Sequence, residues 1–152
     1  MSRVKEIGII SDTHGILRPE AILALKGCSC IFHAGDVEGD WILQELNEIA
    51  PCFTVAGNCD EATDLPLHIL ESVAGQRVLL HHGHLPLAEA EFKPTIVITG
   101  HSHQPLIETT DGILRINPGS AGPRRFNKPV TIARLKITAT KLKAEIIHLP
   151  VK

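Results

Sequence analysis

Gly8-Ile9-Ile10-Ser11-Asp12-Thr13-His14-Gly15 ends an apolar run over residues 4–10 in a carboxylate, an imidazole and a glycine. The run reads as a buried strand. A carboxylate and an imidazole two residues apart can close on one divalent cation, and Gly15 lets the backbone turn away. Taken alone, the triplet is a weak signal that favours a plainer reading, with Asp12 capping a turn and His14 facing solvent. Repetition changes its weight. Residues 30–34 run into Gly35-Asp36, and residues 53–56 into Gly57-Asn58-Cys59-Asp60. Residues 78–81 run into His82-Gly83-His84, and residues 95–99 into Gly100-His101-Ser102-His103. Apolar runs that each end in metal-ligand side chains beside a glycine point to strand ends, where α/β sheets assemble their sites.

Working outward, Arg18-Pro19-Glu20 opens a helix with proline in its first turn, and Gly27 stops it. Asp40 is the expected N-cap of a second helix through Ile49, with Ile42, Leu46 and Ile49 as its buried stripe and Pro51 after it. This β-α-β-α-β order predicts parallel strands joined by right-handed crossovers. The second half changes character. Residues 67–73 and 77–82 form a hairpin about Ala74-Gly75-Gln76, and residues 86–93 a short helix. Residues 105–109 and 113–117 form a hairpin about Asp111-Gly112, the strongest turn signal in the chain. Residues 129–137 and 141–149 close it as another hairpin. The expected architecture is α/β: two sheets packed face to face with helices outside, in a single domain over residues 1–152. No repeat, low-complexity tract or linker divides it.

Composition narrows the chemistry. Apolar residues make up 43% and charged residues 21%, the balance of an ordinary globular protein. A net charge of −2, four Phe, one Trp and no Tyr argue against a nucleic-acid partner, which needs cationic surface or stacking platforms. Nine histidines are the compositional excess, and histidine is the commonest metal ligand. Cys28, Cys30, Cys52 and Cys59 have no C-x-x-C spacing, so they read as reduced, mostly buried thiols in a cytoplasmic protein. No leader pattern opens the chain and no apolar run approaches ~18 residues, which disfavours secretion and membrane spanning.

The candidate ligands are Asp12, His14, Asp36, Asn58, His82, His101 and His103. Two divalent ions can share them if one carboxylate bridges, and Asp36 is the natural bridge. Nitrogen and oxygen donors without thiolate suit Mn²⁺ first, with Fe²⁺, Zn²⁺ or Ni²⁺ as alternatives. Two dications, two carboxylates and a bridging hydroxide leave about one net positive charge, which suits a phosphate ester. Paired metals activate water, so the protein need not supply its own nucleophile.

Asp-x-His, Gly-Asp, Gly-Asn-x-Asp, His-Gly-His and Gly-His-x-His, in this order, resemble the calcineurin-like metallophosphoesterase superfamily, in particular its small single-domain phosphodiesterase branch. The resemblance spans residues 7–120 and includes the Asn117-Pro118-Gly119-Ser120 loop. It implies a four-layer α/β/β/α sandwich of two mixed sheets flanked by helices. It also implies one ion held by Asp12, His14, Asp36 and His103, and another by Asp36, Asn58, His82 and His101. The reaction implied is phosphodiester hydrolysis by a metal-bridging hydroxide. Many members carry a proton-donating histidine directly after the motif asparagine, where this chain has Cys59, a residue the small branch often shares. A thiol with a reference pKa of about 8.5 is the poorer acid near neutrality, so Asn58 and Cys59 are kept as neighbours of the phosphate and leaving group.

Other polar residues have plainer readings. His33 lies within a buried run and His81 faces away from His82, so both read as structural. His84 is open between lining the pocket and bonding locally, and Asp60 between orienting a loop and capping a turn. Arg124 and Arg125 read as solvated loop. The expected partner is a small phosphoester, with oligomeric state open and a homodimer among the options. The competing functions are a weak or inactive scaffold on the same fold, as in the retromer subunit that replaces the first motif's histidine, and a nuclease.

Overall fold

The side chains of β1 (Lys5–Ile10) divide between two cores, Ile7 and Ile9 entering one and Ile10 the other. That is the two-residue period of a strand buried on both faces. The structure, a computed structural model, describes residues 5–60, 63–124 and 127–151; Val4 at the expected strand start and Arg125 lie outside them. In chain order, α1 (Pro19–Leu25), β2 (Cys30–His33), α2 (Asp40–Ile49) and β3 (Cys52–Thr54) follow. Then come β4 (His68–Val73), β5 (Gln76–His81), a 3-10 turn (Glu89–Phe92) and β6 (Ile96–Ile98). The hairpin β7 (Leu106–Thr110) and β8 (Ile113–Asn117) precedes β9 (Thr131–Ile137) and β10 (Leu142–His148).

The strands form two mixed five-stranded sheets, ordered β10-β9-β1-β2-β3 and β4-β5-β6-β8-β7. Pairs β1–β2, β2–β3, β5–β6 and β6–β8 are parallel, so the carboxyl ends of each sheet's central strands point one way. Phe32, Ile9, Leu80, Ile98 and Leu135 pack in the layer between the sheets. Ile10, Ile31, Leu25, Ile42 and Leu46 pack between the first sheet and the two α-helices. Gly8 permits the close approach of α1, since a Cβ there would stand 2.5 Å from Leu25 Cδ2. The expected sandwich of two mixed sheets is the observed one.

Three local expectations need correction. Gly39, at φ 160°, is the N-cap of α2, and Asp40 stands in the helix's first turn, where its charge still favours the positive end of the dipole. Residues 86–93 shrink from a helix to the 3-10 turn at Glu89–Phe92, ended by Lys93 in the left-handed region just before Pro94. The outer face of the second sheet therefore carries a thin layer, with Leu79 and Val97 buried on it. The first hairpin loop is the two-residue Ala74-Gly75, both at positive φ, and Gln76 already pairs with Val73. That is the primed turn geometry that strand twist favours.

Candidate metal centre

All seven candidate side chains converge at one place, from the loops that follow β1, β2, β3, β5 and β6. His103 Nε2 lies 3.2 Å and His14 Nε2 3.6 Å from Asp12 Oδ1. Asp36 Oδ2 lies 3.6 Å from His14 Nε2 and 3.2 Å from His82 Nε2, facing both halves of the cluster. Asn58 Oδ1 is 3.0 Å from His82 Nε2 and 3.0 Å from His101 Nδ1. Ligand atoms of Asp12, His14 and His103 all lie within 4.8 Å of one another, as do those of Asp36, His82 and His101.

The backbone is strained to achieve this. Asp12, His14, Asp36, His101 and His103 all have positive φ, between 46° and 71°. Each such residue without glycine's freedom costs roughly 1–2 kcal/mol, and strain of this kind collects at functional sites. Glycines make the close approach possible: a Cβ on Gly57 would collide with the Asp36 carboxylate.

The donor set fits divalent cations. Asp12 Oδ1 and His14 Nε2 are buried with no hydrogen-bond partner among the described residues, a costly state for two polar atoms facing one point. The other atoms of the same side chains are committed elsewhere. Asp12 Oδ2 accepts from Ser11 Oγ at 2.6 Å and from the His101 N–H at 3.1 Å. His14 Nδ1 donates to Glu38, and His82 Nδ1 donates to the Ala34 carbonyl at 2.7 Å. Both rings thus present Nε2 to the centre, oriented as metal-binding histidines are by their outer partners. Burial pushes the Asp36 carboxyl up, but His82, the Cys59 N–H and His14 outweigh it and hold it well below the usual range. Burial likewise opposes ionisation of Asp12, and His14 and Ser11 reverse it, so its pKa is also lowered. Both carboxylates are ionised, as ligation requires.

Several residues that build the site are given no ligand role by the sequence. Asp60, left open between two readings, is the hub of the loop after β2. Its carboxylate accepts the backbone N–H groups of Gly57 (2.9 Å), Asp36 (2.7 Å), Val37 (3.0 Å) and Glu38 (3.0 Å). Asn117 donates to the Gly100 carbonyl at 3.0 Å, and Ser120 Oγ to the Asp12 carbonyl at 3.1 Å, so the 117–120 loop braces two ligand loops. Glu38 and Ser11 have no counterpart in the motif pattern. His84 is placed against the rings of His82 and His101, with centroids 5.2 and 6.2 Å away, and burial and those two neighbours lower its pKa. His81, facing the other way as expected, bonds Glu89 at 2.7 Å, which also pairs with Arg115. Arg124 is exposed. Cys59 departs from the expectation of a centre without sulfur: its Sγ, with donor atoms of His14 and Asp36, forms a third group within 4.8 Å.

His33 is a fully buried brace. The Gly35 N–H donates to its Nδ1 at 3.1 Å, so the ring proton sits on Nε2. Nε2 donates to Thr13 Oγ1 at 3.0 Å, and Thr13 donates to the Val37 carbonyl at 3.0 Å. Burial pushes its pKa down to about 4 from 6.5. As pH falls below 6.5, the unfolded chain takes a proton that the folded chain refuses. Stability is therefore full above 6.5 and declines as pH falls toward about 4, by up to about 3 kcal/mol from this group. His33→Asn, which keeps an acceptor near Nδ1, is expected to flatten that part of the profile. Urea midpoints at pH 7 and pH 4.5 for both proteins test this, and an unchanged pH difference in the variant would refute it.

Two depressions adjoin the centre, one of about 540 Å³ beside Cys59 and Glu38 and one of about 570 Å³ reaching from His101 to His81 and Glu89. No helix of the described residues is long and apolar enough to cross a membrane.

Comparison with known proteins bears on the family and the fold. The model of the calcineurin-like phosphoesterase superfamily domain matches residues 6–140. A probable metallophosphoesterase of Methanothermobacter thermautotrophicus is 36% identical over a 158-residue alignment covering 93% of this chain and 91% of that protein. Phosphodiesterase YfcE of Escherichia coli is 30% identical, covering 82% of this chain and 84% of that protein. Among solved structures, a predicted phosphoesterase of Streptococcus pneumoniae superposes with a TM-score of 0.78 at 25% identity, over 96% of this chain and 90% of that one. Vacuolar protein sorting 29 of Cryptosporidium parvum superposes with a TM-score of 0.79 at 17% identity, over 96% of this chain and 98% of that one, a likeness of fold alone.

Proposed function

The chain belongs to the calcineurin-like phosphoesterase superfamily, and from that premise we propose that it is a dinuclear metal-dependent phosphodiesterase acting on small esters in the cytoplasm. One ion would be held by Asp12, His14, Asp36 and His103, the other by Asp36, Asn58, His82 and His101. The observation that carries this reading is the pair of buried ligand atoms without a hydrogen bond among the described residues, Asp12 Oδ1 and His14 Nε2, beside an Asp36 carboxylate that faces both histidine groups. Mn²⁺ matches the nitrogen and oxygen donors, with Fe²⁺, Zn²⁺ or Ni²⁺ as alternatives.

Two bound divalent cations would lower the pKa of water and stabilise both the attacking and the leaving oxygen of an in-line displacement. The chain's own part is to fix geometry. Glu38 and the Ala34 carbonyl hold His14 and His82 in the tautomer that offers Nε2. Ser11 and the His101 N–H leave only one oxygen of Asp12 for the centre. The residual charge of about +1 matches a phosphodiester monoanion better than a monoester dianion. The two depressions offer room for the two organic arms of a diester. Cys59 stands where a histidine would donate a proton, so departure of the leaving group leans on its own acidity.

With Mn²⁺ added, the protein is expected to hydrolyse bis(nitrophenyl) phosphate faster than nitrophenyl phosphate, and both far faster than alkyl diesters. A chelator should abolish every rate. A metal-replete protein with no hydrolysis above the metal-only blank would overturn the enzymatic reading in favour of a scaffold.

A further inference from the structure

The third donor group, His14, Asp36 and Cys59, overlaps the paired centre, and its Cys59 sulfur is used by neither ion of the pair. Its members come from three loops, after β1, β2 and β3, and its geometry does not follow from the motif pattern. His14 Nε2 is buried and has no hydrogen-bond partner among the described residues. The Cys59 backbone is pinned to the centre, because its N–H donates to Asp36 Oδ1 at 2.8 Å. The Asn58 side-chain amide lies 3.6 Å from the Cys59 sulfur, as a donor toward it. An imidazole, a carboxylate and a thiol at one corner make a mixed N/O/S donor set, the kind that selects thiophilic ions over hard ones.

We propose that Cys59, with His14 and Asp36, forms an alternative metal position that takes thiophilic divalent ions such as Zn²⁺, Co²⁺ or Cd²⁺. The inference rests on the metal-centre reading above. The thiol releases its proton to water on binding, and the sulfur then supplies the bond that the hard ion Mn²⁺ does not seek. Because His14 and Asp36 also belong to the pair, an ion in this position competes with the paired arrangement. A thiophilic ion in excess is therefore an inhibitor of the Mn²⁺-loaded protein, and replacing Cys59 relieves the inhibition selectively.

Titration of metal-free protein with Co²⁺, followed by near-ultraviolet absorption, tests the assignment, because a sulfur-to-cobalt bond gives a charge-transfer band that nitrogen and oxygen ligands do not. The wild type should develop the band, and Cys59→Ser should lose it while still binding Co²⁺ by equilibrium dialysis. Cd²⁺ affinity should fall roughly 10-fold or more in Cys59→Ser, with Mn²⁺ affinity unchanged within about 3-fold. Co²⁺ binding without a band in the wild type would overturn the proposal and leave the paired centre standing. A band that survives in Cys59→Ser would assign the sulfur to another thiol and also overturn it. If neither protein binds Co²⁺ or Mn²⁺, the paired centre falls together with it.

Discussion

Asp36→Ala is expected to lower hydrolysis by roughly 10³-fold or more, beyond the ~10–100-fold that usually follows loss of a residue that only supports a ligand. The reason is position. Asp36 Oδ2 faces His14 on one side and His82 on the other, while Oδ1 accepts the Cys59 N–H. Removing the carboxylate would take a ligand from both proposed metal positions and remove one tie of the loop that carries Asn58. Elemental analysis of protein reconstituted with excess Mn²⁺ should fall from about two ions per chain to less than one. Asp36→Asn keeps a side chain that tolerates the residue's φ of 59° and still offers an oxygen to Cys59, so it separates loss of charge from loss of shape. Full occupancy and unchanged turnover in the alanine variant would dismiss Asp36 as the bridge.

Asp60→Ala is expected to be the most damaging change among residues that touch no ion. Four backbone N–H groups converge on this one carboxylate, and three belong to consecutive residues, Asp36, Val37 and Glu38. Hydrogen bonds to a charged acceptor contribute about 1.5–3 kcal/mol each in favourable cases, and water replaces part of what is lost at a partly exposed group. A net loss of about 2–4 kcal/mol in the urea transition is the expected result. Metal affinity should fall about 10–100-fold in the same variant, because Asp36 and Glu38 lose their shared anchor. Asp60→Asn, with one carbonyl oxygen left, should fall between the two. A variant that unfolds like wild type and binds metal equally well would reduce Asp60 to an ordinary turn residue.

The contrast between Asp36 and Asp60 shows what the sequence could and could not disclose. Asp36 is readable because its chemistry is local: an apolar run, a glycine, then a ligand, repeated on other strands. Asp60 sits in an equally visible motif, yet its four acceptor bonds reach residues as far as 24 positions away, and nothing in the spacing marks them. Glu38 is harder still, since its value lies in meeting His14 across a turn whose course Asp60 dictates. The start of α2 differs from the sequence expectation for a related reason. Asp40 has the composition of a cap, but the loop before it is set by long-range bonds, and Gly39 takes the capping position. The residue 86–93 segment has helix-like content, yet only Glu89–Phe92 turns as a 3-10 helix before Lys93 takes a left-handed conformation ahead of Pro94.

The two sheets contribute to the centre in nearly equal parts. Asp12, His14, Asp36 and Asn58 follow strands of the first sheet, and His82, His101 and His103 follow strands of the second. In the proposed assignment each ion draws on both. The apolar layer of Phe32, Ile9, Leu80 and Ile98 that separates the sheets is then a caliper as well as a core. Its thickness sets how far apart the two jaws of ligands stand, and a close-packed interior does not yield by fractions of an ångström without cost. Substitutions deep in that layer, well away from any ligand, are thereby expected to shift the ligands of one sheet against those of the other without touching a single donor atom.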